Sequence, residues 1–168
     1  QEVFNNGKNN KLSKKIFQII GQSIDLQPDY KLIKVDSLNS FIWVGRGYPY
    51  RWLTLHKSRK NSYLDIQSSW EQLKNDFSRY MPEITISSYY HKNEKASYGN
   101  NKIPIMRGIY EHSESDSGGP FFVYIFDTEQ TNEVILVSGF VNYPGHEKLI
   151  LLKQLEIMAR TLNKGEPV

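Results

Sequence analysis

The chain has 168 residues, and its 21 lysines and arginines against 18 aspartates and glutamates give a formal net charge of +3. This charge is too small to indicate a nucleic-acid partner. The absence of cysteine excludes a disulfide framework, a thiolate nucleophile and a cysteine-based metal site. No apolar run approaches the ~20 residues that a membrane-spanning helix needs, so we expect a globular domain with its own core.

The N-terminal part of the chain predicts one helix and three strands. Residues 1–10 are polar and predict a disordered lead or linker, so we expect a single domain over residues 11–164. Apolar residues recur at helical spacing from Leu12 to Ile24, which predicts a short amphipathic helix ending near Pro28. Apolar and β-branched residues predict strands at 30–35, 41–44 and 52–55.

The middle of the chain carries its clearest helical stripe, at residues 66–81. A polar turn is expected before it at residues 57–61. We expect Asn61 or Ser62 to cap the helix, and Pro82 ends it.

The remainder of the sequence is mostly strand, with one more helix. Strands are predicted at residues 84–88, 103–111, 121–126 and 134–141. A polar excursion over residues 91–101 separates the first two, and a short turn at residues 127–132 joins the last two as a hairpin. The final helix follows Gly145 and carries an apolar stripe that ends at Leu162.

The order of elements is therefore helix, three strands, helix, four strands, helix. Short connections between consecutive strands favour an antiparallel sheet, and three amphipathic helices must bury their apolar stripes against it. We predict an α+β fold, a mainly antiparallel sheet flanked by about three helices. This order is similar to that of the Mog1/PsbP-like α-β-α sandwich, and that similarity concerns the fold and not the function.

Residues 116–120 read Asp-Ser-Gly-Gly-Pro, which matches the segment around the nucleophile of chymotrypsin-like proteases. A small serine hydrolase would use Ser117, with His56 or His112 as its base. Nothing around His56 resembles the histidine segment of those proteases. The favoured interpretation is a polar turn that leads into a strand, and the hydrolase is the alternative.

No other motif predicts a metal or a cofactor. The four histidines include no helical pair of the zinc-protease type. Residues 111–114 read Glu-His-Ser-Glu and are interpreted as a solvated strand end in preference to a metal site. The Gly45-Arg46-Gly47 segment lacks the rest of a nucleotide-binding fingerprint.

The segment from Phe41 to Lys60 interleaves aromatic and basic side chains, which are typical of partner interfaces. Phe41, Trp43 and Trp52 are expected in the core. The predicted partner-binding residues are Arg46, Tyr48, Tyr50, Arg51, Lys57, Arg59 and Lys60. A glycan- or peptidoglycan-binding surface formed by Tyr48, Tyr50 and Trp52 is an alternative, because aromatic rings also stack on sugars.

Several segments together resemble a known protein family. They are residues 39–44 (Asn-Ser-Phe-Ile-Trp-Val), 79–82 (Arg-Tyr-Met-Pro), 107–111 with 119–121 (Arg-Gly-Ile-Tyr-Glu and Gly-Pro-Phe), and 139–144 with 154–156 (Gly-Phe-Val-Asn-Tyr-Pro and Gln-Leu-Glu). They are similar to motifs of uncharacterised cell-envelope lipoproteins of Bacteroidota, which are grouped as a domain of unknown function. The resemblance extends from about Leu12 to Leu162 and matches the C-terminal part of longer proteins.

The resemblance implies an exported protein of the periplasm or outer membrane. Its lipid anchor would lie outside this chain, which agrees with the absence of cysteine here. The family has no established catalytic residues and tends to carry an apolar residue where Ser117 stands. We therefore expect a non-enzymatic lipoprotein domain that acts as a protein-binding accessory subunit of an envelope or outer-membrane assembly, without a cofactor.

Overall fold

A computed structural model of the protein describes residues 2–114, 117–130, 132–165 and 167. Within these residues, no helix combines the length and the apolar character needed to cross a bilayer. The helices are α1 (Asn10–Ile20), α2 (Ile66–Tyr80) and α3 (Leu149–Ala159), and short 3-10 turns occupy Glu2–Phe4 and Lys60–Tyr63.

Helices α1 and α2 begin where side chains satisfy their first backbone amides. The Asn9 side chain accepts a hydrogen bond from the backbone N–H of Leu12, and Asp65 accepts one from Ser68. The prediction that Asn61 or Ser62 caps α2 is therefore wrong, because these residues belong to the preceding 3-10 turn.

Seven strands form one sheet in which every neighbouring pair is antiparallel. The strands are β1 (Lys31–Asp36), β2 (Phe41–Arg46), β3 (Tyr50–Arg59), β4 (Ile84–Tyr98), β5 (Asn101–His112), β6 (Ser117–Asp127) and β7 (Glu133–Asn142). Their order across the sheet is β1-β2-β3-β7-β6-β5-β4. The predicted α+β fold, an antiparallel sheet flanked by three helices, is confirmed.

Helices cover both faces of the sheet, so the protein has two hydrophobic layers. Helices α1 and α3 bury one face, with Ile16 of α1 and Leu155 of α3 fully inaccessible to solvent. Helix α2 buries the other face, where Leu73 is fully inaccessible. The central strands β6 and β7 contribute to both layers because successive side chains alternate between the faces.

The residues before α1 contact the rest of the domain. Val3 and Phe4 pack against the α1/α3 layer. The backbone N–H of Asn9 donates to Leu26, and its side-chain amide donates to Pro28 and Tyr30. These contacts tie the start of the chain to the segment that follows α1.

The structure also corrects two predicted polar connections. Residues 57–59 continue strand β3 instead of forming a turn, because they pair with β7 as far as Glu133. Most of the predicted excursion at residues 91–101 belongs to a long hairpin of β4 and β5 that turns at residues 99–100. Polar side chains suit β4 because it lies at the edge of the sheet and is largely exposed.

Candidate functional site

The predicted partner-binding residues lie at two opposite ends of β3. Tyr48 and Tyr50 lie where the strand begins, and Arg59 and Lys60 lie where it ends. The ten residues of β3 span roughly 30 Å at the usual rise of ~3.3 Å per residue. These residues therefore cannot form one continuous small site, and each end of the sheet must be considered by itself.

An exposed apolar surface occupies the end of the sheet where β3 begins. Gly45 of β2 lies between the side chains of Ile33 and Trp52, and a Cβ at this position would collide with both. The absence of a side chain at Gly45 leaves room for the indole of Trp52 beside β2. Ile33 remains 46% exposed, so an aliphatic and an aromatic group share one surface.

Three tyrosines extend this surface along the same end. The ring of Tyr50 stacks on that of Trp52 with centroids 6.2 Å apart, and Tyr48 meets Tyr50 edge to face at 5.6 Å. Tyr143, which follows β7, contacts Tyr48 at 5.4 Å. Tyr48 is 60% exposed and Tyr50 is 42% exposed. We call the surface formed by Ile33, Tyr48, Tyr50, Trp52 and Tyr143 the aromatic face.

Two predicted cationic residues flank the aromatic face with different roles. Arg46 forms an ion pair of 2.7 Å with Asp29 and is partly accessible. Arg51 is buried, and its guanidinium donates to the side chain of Gln154 and to the carbonyl of Pro49. Burial, and next the charge of Arg46, lower the pKa of Arg51. Arg51 therefore supports the strand end from inside and is a poor candidate for direct contact with a partner.

The other three predicted cations lie away from the aromatic face. Lys57 is half-buried on the α1/α3 side, with its Nζ beside Gly21 at the end of α1. Arg59 is exposed, and Lys60 forms an ion pair of 2.6 Å with Asp127. The structure thus separates the predicted set into an aromatic part and a basic part.

The Gly-Gly pair after Ser117 has a packing explanation. A Cβ at Gly118 would collide with the carbonyl oxygen of Tyr110, and one at Gly119 would collide with that of Val141. Both glycines thus allow β6 to approach its two neighbouring strands closely. Asp116 of this motif lies outside the described residues. The predicted polar turn is wrong for residues 117–119, because β6 already begins at Ser117.

Of the two histidines considered as a base for Ser117, only His112 is close to it. His112 and Ser117 are directly opposed across β5 and β6, and the Asn142 side-chain amide donates to Ser117 Oγ at 3.0 Å. His56 is opposed to Leu136, six residues along β7 from Asn142, which corresponds to roughly 20 Å. His56 therefore cannot act on Ser117.

His56 instead belongs to a buried polar network that the sequence reasoning missed. Its Nε2 lies 3.2 Å from Oδ2 of Asp76 on α2, and Tyr63 donates to the same oxygen at 2.6 Å. Gln72 donates to the other carboxylate oxygen at 2.9 Å. Asp76 lies three residues after Leu73 on the apolar stripe of α2. A carboxylate among apolar positions indicates a buried polar partner, and this was the sequence signal for the network.

Charge and burial compete at this network. Burial raises the pKa of the Asp76 carboxyl, but the hydrogen bonds from His56, Tyr63 and Gln72 outweigh it, and the net shift is downward. Burial, and next the charge of Asp76, raise the pKa of Tyr63. Asp76 is thus held as a carboxylate that joins α2 to β3. Because His56 is only 2% exposed, the pair is closed to solvent and its role is structural.

No group of three or more histidine, aspartate or glutamate side chains is arranged to hold a metal ion within the described parts of the chain. The aromatic face is the candidate site because it places exposed rings and one exposed aliphatic side chain on a single surface.

Comparison with solved structures shows the fold. A structure from Bacteroides thetaiotaomicron is similar with a TM-score of 0.51 and 13% identity, over 88% of this chain and 47% of that one. The Ran-binding protein Mog1p of Saccharomyces cerevisiae is similar with a TM-score of 0.55 and 8% identity, over 85% and 89% of the two chains. A mutant of Mog1 gives a TM-score of 0.53 and 8% identity, over 85% and 90%. The predicted similarity to the Mog1 fold is confirmed.

The chain spans about half the length of the Bacteroides structure. No curated protein matches it. The family model described as Domain of unknown function (DUF4837) matches residues 9–161. This match covers most of the 168 residues, so the chain belongs to the DUF4837 family.

Proposed function

We propose that this protein is a non-enzymatic domain of a cell-envelope lipoprotein, and that it binds a protein partner through the aromatic face. The observation that carries the proposal is the row of Ile33, Tyr50 and Tyr48, which are exposed at one end of the sheet, beside Trp52, which was expected in the core and is half-buried against the α2 layer. Large rings that remain exposed beside an aliphatic side chain mark interaction surfaces, because their burial by a partner is favourable.

The composition of the face favours a protein over a glycan. A sugar-binding platform needs flat rings with polar groups around them, whereas Ile33 offers only apolar surface. The edge-to-face contact of Tyr48 with Tyr50 also turns the two rings by 81° relative to each other, so they do not form one flat platform. Rings at different angles suit an irregular protein surface with side chains that insert between them.

The location in the envelope is part of the proposal and rests on the sequence resemblance to Bacteroidota lipoproteins. In this setting, the domain would act as an accessory subunit of a periplasmic or outer-membrane assembly. The lipid anchor would attach the domain to the membrane, and the aromatic face would bind the partner.

The test is affinity purification of the tagged full-length protein from solubilised native envelopes, followed by mass spectrometry. We expect a stoichiometric protein partner with the wild type and its loss with the double variant Tyr48→Ala/Tyr50→Ala. Both rings are substantially exposed, so this variant should keep its fold, which circular dichroism and thermal unfolding would verify.

Tyr89→Ala is the matched control because Tyr89 is 95% exposed and lies in an irregular part of β4, far across the sheet from β3. Retention of the partner by Tyr89→Ala and its loss from the double variant support the proposal. Equal retention by both variants contradicts it. If no protein partner is captured and the wild type sediments with insoluble peptidoglycan, the ligand is a glycan and the protein-binding proposal is wrong.

A second candidate, a small serine hydrolase, is favoured by one observation. His112 lies directly opposite Ser117, and Asn142 donates to the serine hydroxyl oxygen. A fluorophosphonate probe tests it, because only an activated serine reacts. Labelling that disappears in Ser117→Ala and in His112→Phe would establish the hydrolase, whereas the protein-binding proposal expects no labelling of either the wild type or these variants.

A further inference from the structure

A groove of about 730 Å³ lies at the end of the sheet opposite the aromatic face. It is bordered by the 3-10 turn before α2, the first residues of β5, the last residues of β6 and the segment after α3. Its volume falls within the ~300–1,000 Å³ typical of small-molecule sites. No residue of the aromatic face lines it, so it is a separate site.

The floor of the groove consists of four apolar side chains that come from both hydrophobic layers. Ile103, Phe126 and Leu162 belong to the α1/α3 layer and Val134 belongs to the α2 layer, and each is at least 94% buried. Leu64 forms part of the lip and is 68% exposed, which leaves an aliphatic side chain beside the opening.

The rim of the groove carries three lysines and two carboxylates, which leaves one positive charge in excess. Lys60 and Lys164 each form one ion pair of 2.6 Å, with Asp127 and Glu129 respectively. Lys102 lines the same groove and has no carboxylate partner among the residues that the structure describes. An uncompensated ammonium group therefore stands beside an apolar floor.

We propose that this groove binds an amphiphile with a single acyl chain and an anionic head group. The chain would lie on the floor formed by Ile103, Phe126, Val134 and Leu162, and the head group would pair with Lys102. Burial of an acyl chain supplies ~0.8 kcal/mol per CH₂ group. A carboxylate at the rim fits the unpaired ammonium, and a cationic head group does not.

The chemistry of the ligand is tested by isothermal titration calorimetry with three amphiphiles below their micelle concentrations. We expect dodecanoate to bind saturably with a stoichiometry of one. Hexanoate should bind more than about tenfold more weakly because its chain buries fewer CH₂ groups. Dodecyltrimethylammonium should also bind more weakly, since its head group is repelled by Lys102 and lacks a partner.

Two pairs of matched variants test the location. Lys102→Glu should weaken dodecanoate binding about three- to tenfold, and Lys74→Glu, on the exposed side of α2, should not change it. Leu64→Asp should weaken binding about tenfold. Leu38→Asp is its control, because Leu38 is 98% exposed in the turn between β1 and β2. All four positions are exposed, so folding is not at risk.

Loss of binding in Lys102→Glu and Leu64→Asp, with retention in both controls, supports the proposed site. Equal affinity for the cationic amphiphile, non-saturable uptake, absence of binding, or unchanged affinity in Lys102→Glu and Leu64→Asp would each overturn it. The same variants retain the aromatic face intact. If Leu64→Asp loses dodecanoate binding but still captures the protein partner, the two sites are independent. A failure of the groove proposal can therefore be distinguished from a failure of the proposed function.

Discussion

The two faces of the sheet are packed by different kinds of side chain. The α1/α3 layer is mostly aliphatic, as Ile16, Ile20 and Leu155 illustrate. The α2 layer is rich in rings, and its aromatic members are Phe41, Trp43, Tyr63, Trp70, Phe77, Tyr80, Tyr110, Phe121 and Phe140. The α2 side also encloses the polar side chains of Thr54, His56, Asp76 and Ser138.

This difference separates two ways of holding a helix on a sheet. The apolar contacts of helices α1 and α3 are mainly aliphatic, and such contacts are non-directional and tolerate small rearrangements. Helix α3 is also held by hydrogen bonds that Glu156 accepts from Arg107 and Tyr124 at the partly accessible margin of this layer. Helix α2 is held by ring contacts and by the carboxylate of Asp76, whose hydrogen bonds require fixed positions. Substitutions on the α2 side should therefore be less forgiving than those on the α1/α3 side.

The largest expected effect follows from removal of the Asp76 carboxylate. Asp76→Ala leaves His56, Tyr63 and Gln72 without their shared acceptor in a buried position. We expect a loss of about 3–5 kcal/mol in the free energy of unfolding, measured by urea denaturation.

The double variant His56→Phe/Asp76→Leu provides the control for this prediction. It replaces the hydrogen-bonded pair by apolar groups of similar volume, and it should be more stable than Asp76→Ala. A loss in Asp76→Ala of less than about 1 kcal/mol would contradict the assigned role of the carboxylate, because exposed pairs contribute that little.

Two matched leucines compare the layers directly. Leu73 of α2 and Leu155 of α3 are both fully inaccessible to solvent. Each change to alanine should cost about 2–5 kcal/mol in the free energy of unfolding. We expect Leu73→Ala to cost about 1 kcal/mol more, because rigid rings around it close a cavity less readily than aliphatic chains do. Urea denaturation measures both, and a larger loss for Leu155→Ala would contradict the comparison.

The sequence predicted which helices and strands exist better than it predicted the residues at which they begin and end. Alternating and helical apolar patterns determine which segments are strands and helices, so all seven strands and three helices were found. The polar residues 91–98 were assigned to a loop because this part of the edge strand β4 carries no apolar alternation. Residues 57–59 were assigned to a turn for a similar reason, although backbone pairing with β7 holds them in a strand.

The candidate site was predictable only in part. Tyr48 and Tyr50 were identified because aromatic residues beside a turn are unusual, and the structure places both on one exposed surface. Arg51 and Lys60 were grouped with them because they are near in sequence. In a strand, neighbouring residues point to opposite faces, and residues ten positions apart are separated by roughly 30 Å. Proximity in sequence therefore does not show that two residues of a strand share a site.

A pH titration sharpens the role assigned to Asp76. Because the pKa of this carboxyl is lower in the folded chain, its stabilisation is complete above the ordinary aspartate pKa of ~3.9. The stabilisation is lost as the pH falls below that value toward the folded pKa. We expect the difference in unfolding free energy between the wild type and Asp76→Asn to be smaller at pH 3 than at pH 6. Urea denaturation at both pH values measures it, and an equal difference would contradict a lowered pKa.

The smallest expected effect concerns the hydroxyls enclosed on the α2 side. Thr54 and Ser138 are directly opposed across β3 and β7, and both are fully inaccessible. Neither hydroxyl has a hydrogen-bond partner among the described residues. Burial of an unpaired hydroxyl is unfavourable, so Thr54→Val should leave stability unchanged or raise it by up to about 1 kcal/mol.

Thr161→Val is the matched control on the α1/α3 side. The Thr161 hydroxyl accepts from the backbone N–H of Asp25 at 2.7 Å and donates to the carbonyl of Met158 at 2.6 Å. Its removal should lower the free energy of unfolding by about 1–2 kcal/mol, because Asp25 loses its acceptor. Opposite signs for one chemical change would show that an enclosed hydroxyl stabilises the fold only where it has a hydrogen-bond partner. A loss of more than about 1 kcal/mol in Thr54→Val would mean that this hydroxyl is satisfied in solution, for example by an enclosed water.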